Sequence, residues 1–160
     1  MNIQLAIKKG QLILNSKKIK TAELDSHILM SKVIDKEKKF LILNPEEKIS
    51  KKNLDNFNTL INQRANGKPV AYLIKKKDFW KYEFVVNQDV LIPRPDTEIL
   101  VEKALELTKN KHKLNILDIG IGSGCILLSI LKEKKNFYGT GVDIKIGRAH
   151  VWTPVTDVSR

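Results

Sequence analysis

Apolar side chains recur at three- and four-residue steps through the first part of the chain. Ala22, Leu24, Ile28, Leu29 and Val33 share one helix face, and Leu54, Phe57, Leu60 and Ile61 share another. Between them, Asn44-Pro45-Glu46-Glu47 is a turn or a helix start, because proline fits the first helical position. The economical reading is four short helices over residues 2 to about 66. Asn66-Gly67-Lys68-Pro69 then breaks the periodicity and marks a candidate linker.

From Phe79 the period changes. The aromatic and β-branched run Phe79 to Val86, a turn at Asn87-Gln88-Asp89 and the extended Val90-Leu91-Ile92 predict a hairpin, which Pro93-Arg94-Pro95 stops. Pro95-Asp96-Thr97-Glu98 places acidic groups at a helix start, and Leu100, Val101, Ala104 and Leu105 give that helix an apolar face as far as about Lys109. Leu114 to Asp118 then reads as a strand, followed by a glycine loop, an apolar helix from about Cys125 to Lys132, and a second strand from Phe137 to Val142. Strand, helix, strand in this order is the opening of a parallel sheet.

Composition narrows the class without fixing it. With 42% hydrophobic and 29% charged residues among 160, the chain has enough apolar content for one modest core or one small domain plus part of a second. The longest apolar runs fall far short of the ~20 residues that cross a bilayer, and the segment Met1 to Lys9 carries no export signal. One cysteine, Cys125, excludes an intrachain disulfide, so a reduced, cytoplasmic protein is expected. The net charge of +11 suggests polyanion binding, yet only four of the 29 basic residues are arginine. Phosphate-gripping surfaces usually draw on arginine forks as well, so most of these lysines read as solvated surface.

The chemistry concentrates in Asp118-Ile119-Gly120-Ile121-Gly122-Ser123-Gly124 and in Asp143. A strand that ends in a glycine loop and feeds a helix lets a ligand approach backbone N–H groups at the positive helix end. An acidic residue at the tip of the next strand accepts hydrogen bonds from ribose hydroxyls. Asp143 lies 23 positions after Gly120, near the spacing of a nucleoside-binding unit. A dinucleotide fingerprint needs Gly or Ala where Cys125 stands, and no Gly-Lys-Ser/Thr follows the glycines, so pyrophosphate binding and nucleotide hydrolysis are both disfavoured. Cys125 reads as a packing residue in the first helical turn, and His27 and His112 show no metal-ligand spacing.

Asp-x-Gly-x-Gly-x-Gly resembles the first motif of class I S-adenosylmethionine-dependent methyltransferases. A longer resemblance names a family. Arg64 to Tyr72, Phe79-Trp80, Phe84, Val90 to Glu98 and Asp118 to Gly124 are similar, in order and spacing, to successive blocks of the release factor glutamine methyltransferases. The resemblance runs over residues 1 to 144, and Pro93-Arg94-Pro95-Asp96-Thr97-Glu98 is its most specific block. It implies an α plus α/β architecture: a helical release-factor-binding bundle over 1–70, a linker and hairpin over 71–95, and the truncated start of a Rossmann-like methyltransferase domain over 96–144.

It further implies S-adenosylmethionine as cofactor, held by Asp118, Gly120, Ile121, Gly122, Ser123, Gly124 and Asp143, with no metal. The implied substrate is the glutamine side-chain amide of the Gly-Gly-Gln motif in peptide chain release factors. No membrane or direct nucleic-acid partner is expected, and a monomer is. The family's amide-orienting Asn-Pro-Pro-Tyr does not occur in these 160 residues, so no catalytic residue is assigned and the chain alone is expected to be inactive. The alternatives are an adenine-N6 nucleic-acid methyltransferase fragment, against which the helical region and the Pro93 to Glu98 block argue, and a non-enzymatic basic RNA-binding module.

The family pattern stops at Ile144. Residues 145–160 instead resemble a translated short-read sequencing adapter, whose reading frame gives Ile146 to Val151, a UGA codon at Trp152, and Thr153 to Thr156. Resequencing the gene across the codon for Lys145 is expected to reveal a different continuation; genomic sequence running through Ile146 to Arg160 would refute the adapter origin.

Overall fold

A computed structural model describes residues 1–144 and the backbone of His150–Trp152. The chain divides into two compact units, residues 1–75 and 76–160, which meet in sequence at Lys75 and Lys76. The first unit holds the four predicted helices, α1 (Ile3–Ser16), α2 (Ala22–Ile34), α3 (Lys38–Leu43) and α4 (Lys51–Ala65), and adds a short α5 (Val70–Ile74). Asn66–Pro69 forms the turn that links α4 to α5 inside this unit, with the Gly67 N–H donating to the Arg64 carbonyl at 2.9 Å.

Local signals account for the helix starts. The Asn2 side chain accepts from the Leu5 N–H at 2.9 Å, and the Ser50 hydroxyl oxygen accepts from the Asn53 N–H at 3.2 Å. Asn44 to Glu47 is a turn, and it serves α1: the Pro45 and Glu47 carbonyls accept from the Gln4 and Ile3 N–H groups at 2.9 and 3.0 Å. These are first-turn donors with no acceptor inside the helix.

Ile3, Ala6, Ile7, Leu14, Leu29, Met30, Phe57 and Ile61 form the buried core of the unit. The α4 face is as predicted, with Phe57 and Ile61 fully buried and Leu54 and Leu60 packed against them. On α2, Ala22, Leu29 and Val33 face the core, whereas Leu24 turns to solvent. Gly10 lets α1 approach α4 closely, since a Cβ there would meet Ile61 Cδ1 and Phe57 Cζ at 2.9 Å. One ion pair fixes α2 to α4: the Arg64 Nε donates to Asp25 Oδ2 at 2.7 Å, and the Thr21 hydroxyl donates to the same oxygen at 2.9 Å. Asp25 is buried, so removing one partner leaves an uncompensated polar group in the interior.

The second unit opens with the antiparallel hairpin β1 (Lys76–Phe79) and β2 (Tyr82–Val85). This corrects the predicted register of the hairpin. The aromatic run is not one strand, because Trp80 takes a left-handed φ of 59° and makes the turn with Lys81. Val90–Ile92 joins no strand. The charged Lys76 and Lys77 disguised the first strand, whose inward residue Phe79 meets Phe84 edge-on at 6.2 Å. The turn at Asn87 to Asp89 is present, with the Asp89 N–H donating to Asn87 Oδ1 at 2.9 Å.

A 3₁₀ turn, Pro95–Thr97, leads into α6 (Glu98–Leu107). Next come β3 (Asn115–Ile119), α7 (Cys125–Glu133) and β4 (Tyr138–Val142), with β3 and β4 parallel from Asn115↔Tyr138 to Ile119↔Val142. The predicted β-α-β unit is therefore present, to within about a turn or one residue at its ends. The backbone of β5 (His150–Trp152) pairs antiparallel with β4, giving the order β3-β4-β5. The rest of the tail expected to be foreign lies outside the described residues. As the edge strand of this sheet, β3 leaves Leu117 and Ile119 exposed on the face away from α7.

Glu133, at the end of α7, holds the hairpin turn. Its Oε1 accepts from Trp80 Nε1 at 3.1 Å and the Tyr82 hydroxyl at 3.3 Å, and pairs with Lys81 Nζ at 2.8 Å. A second carboxylate, Glu98 at the start of α6, accepts from the Trp80 backbone N–H at 2.8 Å. The Lys81 and Trp80 bonds hold the Glu133 carboxyl below its ordinary range. A carboxyl depressed in the folded state contributes stability above its unfolded value and loses it as pH falls through the folded one. In acid titration the Trp80 indole N–H resonance is expected to shift below about pH 4.5, and that step is expected to vanish in Glu133→Gln. A resonance that titrates identically in both proteins would show that Glu133 does not hold Trp80.

Candidate functional site

The loop between β3 and α7 reverses direction through three glycines in left-handed conformations, Gly120 at φ 82°, Gly122 at 55° and Gly124 at 77°. Side chains at these positions would be strained, which explains the alternation of glycine from 120 to 124. Each turn of the loop is tied down. The Gly120 and Ile121 N–H groups donate to the Val142 carbonyl at 2.7 and 3.0 Å, and the Gly124 N–H donates to the Ile121 carbonyl at 2.8 Å. The Gly122 N–H donates to Asp143 Oδ2 at 2.9 Å, so the acidic tip of β4 reaches the loop directly.

Among the predicted site residues, Gly120, Gly122, Gly124 and Asp143 are thus brought together, with Ser123 in the same turn. Ile121 takes part through its backbone. Its side chain is buried against β4, where a Cβ on Gly141 would lie 1.9 Å from Ile121 Cδ1. Asp118 faces α7 from β3, and burial pushes its carboxyl above the ordinary range while a bond from the Leu127 backbone N–H opposes that shift. The Cys125 thiol is pushed up chiefly by burial, with Asp118 adding to the effect, so Cys125 stays protonated and behaves as a packing group. His27 and His112 lie in different units, and no group of metal-ligating side chains occurs among the described residues.

Two residues that shape the site were missed in the sequence. Gly139 and Gly141 on β4 have no room for a side chain, because Cβ atoms there would meet Leu127 and Ile121 at 2.8 and 1.9 Å. The available signal was the alternation Tyr138-Gly139-Thr140-Gly141-Val142, small residues at strand period on the face turned to α7.

A strand, a glycine loop, a helix and a parallel strand with an acidic tip define the opening of a Rossmann-like α/β domain. Comparison with known proteins places it more closely. Residues 6–74 match the family described as the PrmC N-terminal domain. The chain is 43% identical over 120 residues to a release factor glutamine methyltransferase of Buchnera aphidicola subsp. Baizongia pistaciae, an alignment covering 75% of this chain and 43% of that protein. It is 39% identical over 143 residues to the release factor glutamine methyltransferase of Buchnera aphidicola subsp. Acyrthosiphon pisum, covering 89% and 50%. A bifunctional methyltransferase of Rickettsia bellii is 31% identical over 177 residues, covering 94% and 32%. Over three quarters or more of its length the chain is similar to release factor glutamine methyltransferases, and it spans about half the length of the curated relatives it matches. No helix among the described residues is long and apolar enough to cross a membrane.

The close approach at Gly141 makes a direct test of how the loop is seated. Gly141→Ala is expected to lift Ile121 and cost about 2 kcal/mol, read as an earlier urea transition in Trp80 emission. An unchanged midpoint would mean that Ile121 finds another seat at no cost.

Proposed function

We propose that this chain is part of an enzyme that binds S-adenosylmethionine at the Gly120–Gly124 loop and methylates the side-chain amide nitrogen of a glutamine in peptide chain release factors. The observation that carries the reading is the bond from the Gly122 N–H to Asp143, which joins the glycine loop to the acidic strand tip in one site. The residues fit the cofactor. A Cβ on Gly120 would meet nothing within 4 Å, and one on Gly122 only the Gly120 carbonyl at 3.9 Å, so the outer side of the loop is open to close approach by a ligand. Asp143 brings a carboxylate to the loop, which suits a sulfonium cation and opposes a pyrophosphate.

In this reading the backbone of Gly120, Ile121, Gly122, Ser123 and Gly124 lines the methionine and ribose portion, and Asp143 accepts from the ribose hydroxyls. When bound, the cofactor supplies an electrophilic methyl group on sulfur. The chain's own part is to position it: the three glycines set the loop, and Ile121 and Gly141 hold the loop on the sheet. A carboxamide nitrogen is a poor nucleophile, so its orientation and the hydrogen bonds to its N–H groups are the further requirement. The Asn-Pro-Pro-Tyr that would meet it is not among these 160 residues.

A protein substrate needs contacts beyond its reacting side chain, and the helical unit offers a cleft of about 370 Å³ lined by Ile7, Gln11, His27, Leu41, Ile42 and Pro45. Its apolar floor, a rim that carries amides and both charges through Gln4, Gln11, Lys8 and Glu23, and an Ile42 that is 62% exposed suit a folded protein surface. We assign the release factor as the partner on this ground and on the names of the relatives. A cytoplasmic monomer is the corresponding physical state.

Titration calorimetry on the 160-residue chain is expected to show no tight S-adenosylmethionine binding, since no strand among the described residues pairs with the outer edge of β3; micromolar affinity would overturn that part of the reading. In a chain extended to the length of its relatives, Asp143→Ala is expected to weaken S-adenosylmethionine binding at least tenfold and to abolish methyl transfer to purified release factor. Unchanged affinity would remove Asp143 from the ribose site.

A further inference from the structure

The end of the β3–β4 sheet opposite the glycine loop collects lysines from two stretches of chain. Lys109, Lys111 and Lys113 lead into β3, and Lys132, Lys134 and Lys135 stand where α7 ends and the chain turns towards β4. Because β3 and β4 are parallel and α7 returns the chain between them, both stretches lie at the starts of the two strands. Contacts between them are direct. The Lys134 ammonium donates to the Thr108 and Lys109 carbonyls at 3.4 Å, and the Tyr138 N–H donates to the Leu114 carbonyl at 2.8 Å. The Lys113 ammonium lies 5.1 Å from the centre of the Tyr138 ring.

These charges are not balanced where they stand. Within residues 108–113 and 132–138 the only carboxylate is Glu133, which is already engaged by Lys81, Trp80 and Tyr82. Among the described residues none of the six lysines pairs with a carboxylate, whereas Lys103 on α6 is held by Glu106 at 2.6 Å. Lys134 is half-buried and the other five are exposed. Like charges gathered on one surface repel one another, and a polyanion relieves that repulsion. Lysine is a compact point charge suited to phosphate, and without an arginine fork such a patch holds a backbone without regard to sequence. Tyr138 is 38% exposed among these lysines, and a ring so placed offers a stacking surface to an unpaired base. RNA is the nucleic acid that presents unpaired bases, in loops and at ends. A membrane surface calls instead for a broad apolar face, which Leu107 and Tyr138, the exposed large apolar side chains of this region, are too few to make.

We propose that this lysine-rich end of the second unit is a sequence-independent docking surface for single-stranded RNA, with Lys109, Lys111, Lys113, Lys132 and Lys135 on phosphates and Tyr138 stacked on a base. Lys134, engaged with two carbonyls, holds the two stretches together. The family resemblance implied no direct nucleic-acid partner; the placement of these lysines argues for one. The surface lies at the far end of the sheet from the Gly120–Gly124 loop and does not rest on the cofactor reading.

Fluorescence anisotropy with a labelled single-stranded RNA of about 20 nucleotides tests it on the 160-residue chain. Binding is expected with a Kd of about 10 μM or tighter at about 50 mM salt, weakening with a log–log salt slope of about −3.5. The combined variant Lys109→Gln, Lys111→Gln, Lys113→Gln, Lys132→Gln and Lys135→Gln is expected to bind at least about tenfold more weakly, with a slope near zero. A control that removes the same charge from exposed positions of the first unit, Lys9→Gln, Lys17→Gln, Lys20→Gln, Lys51→Gln and Lys52→Gln, is expected to stay within about threefold with its slope unchanged. Tyr138→Ala is expected to weaken binding about fivefold at an unchanged slope, and Tyr138→Phe to restore it. If the combined patch variant does not fold, its two halves decide: the three changes before β3 are expected to flatten the slope by about 2, and the two after α7 by about 1.4. The proposal is overturned by a Kd weaker than about 100 μM at about 50 mM salt, by equal losses in the patch and control variants, or by an unaffected Tyr138→Ala. Retention on phosphatidylserine vesicles without RNA binding would equally overturn it, and would make the patch a membrane surface.

Discussion

A chain leaving the end of β3 must enter α7 within five residues while keeping its backbone open on one side, and that requirement governs the rest of the second unit. Left-handed turns at Gly120, Gly122 and Gly124 meet it. Such a loop has little side-chain material with which to hold itself in place, so its anchorage must come from below. Ile121 supplies it by inserting against Gly141, and Val142 supplies it through a carbonyl that accepts two loop N–H groups. The glycines of β4 follow from the same need, because α7 can lie close to the sheet only where the strand beneath has no side chains. Loop, helix and strand are therefore three answers to one steric condition.

The helical unit solves a different problem. Its helices are short, and isolated helices of this length are marginal in water, so their stability must come from packing. Phe57 and Ile61 of α4 meet Gly10 of α1 at close range, and the Asp25–Arg64 pair fixes α2 against α4 at its buried end. The segment Pro45 to Glu47 lends two carbonyls to the start of α1, which makes the turn part of the helix it faces. Nothing in this unit resembles the chemistry of the glycine loop. Its cleft combines the apolar Ile7, Leu41, Ile42 and Pro45 with the polar or charged Gln4, Lys8, Gln11, Glu23 and His27.

Much of this was readable from residues alone, for identifiable reasons. The four helices were visible because their apolar positions follow the helical period, and the β-α-β unit because glycine runs and β-branched strands leave strong local signals. The hairpin register was not, since Trp80 adopts a left-handed turn that its residue type gives no reason to expect, and Lys76 and Lys77 form a strand with a charged exterior. Leu24 shows the limit of periodicity, for it shares the spacing of core residues yet faces solvent. At the site, the glycines and Asp143 were legible as a motif. The downward turn of Ile121 and the need for glycine at 139 and 141 were not, because both arise from contacts between elements far apart in sequence.

The position of β3 at the border of its sheet has a consequence for how the chain folds. Helical units are closed by contacts between neighbours in sequence and form rapidly, whereas a parallel strand pair must first close a loop of more than twenty residues. As the chain is made, the first 75 residues complete their own core early. The strand carrying Leu117 and Ile119 then waits, with one bare row of backbone groups and a greasy flank, for whatever strand arrives next. During that interval crowding with other nascent copies competes with correct folding, since an unpaired strand edge accepts any extended chain that reaches it.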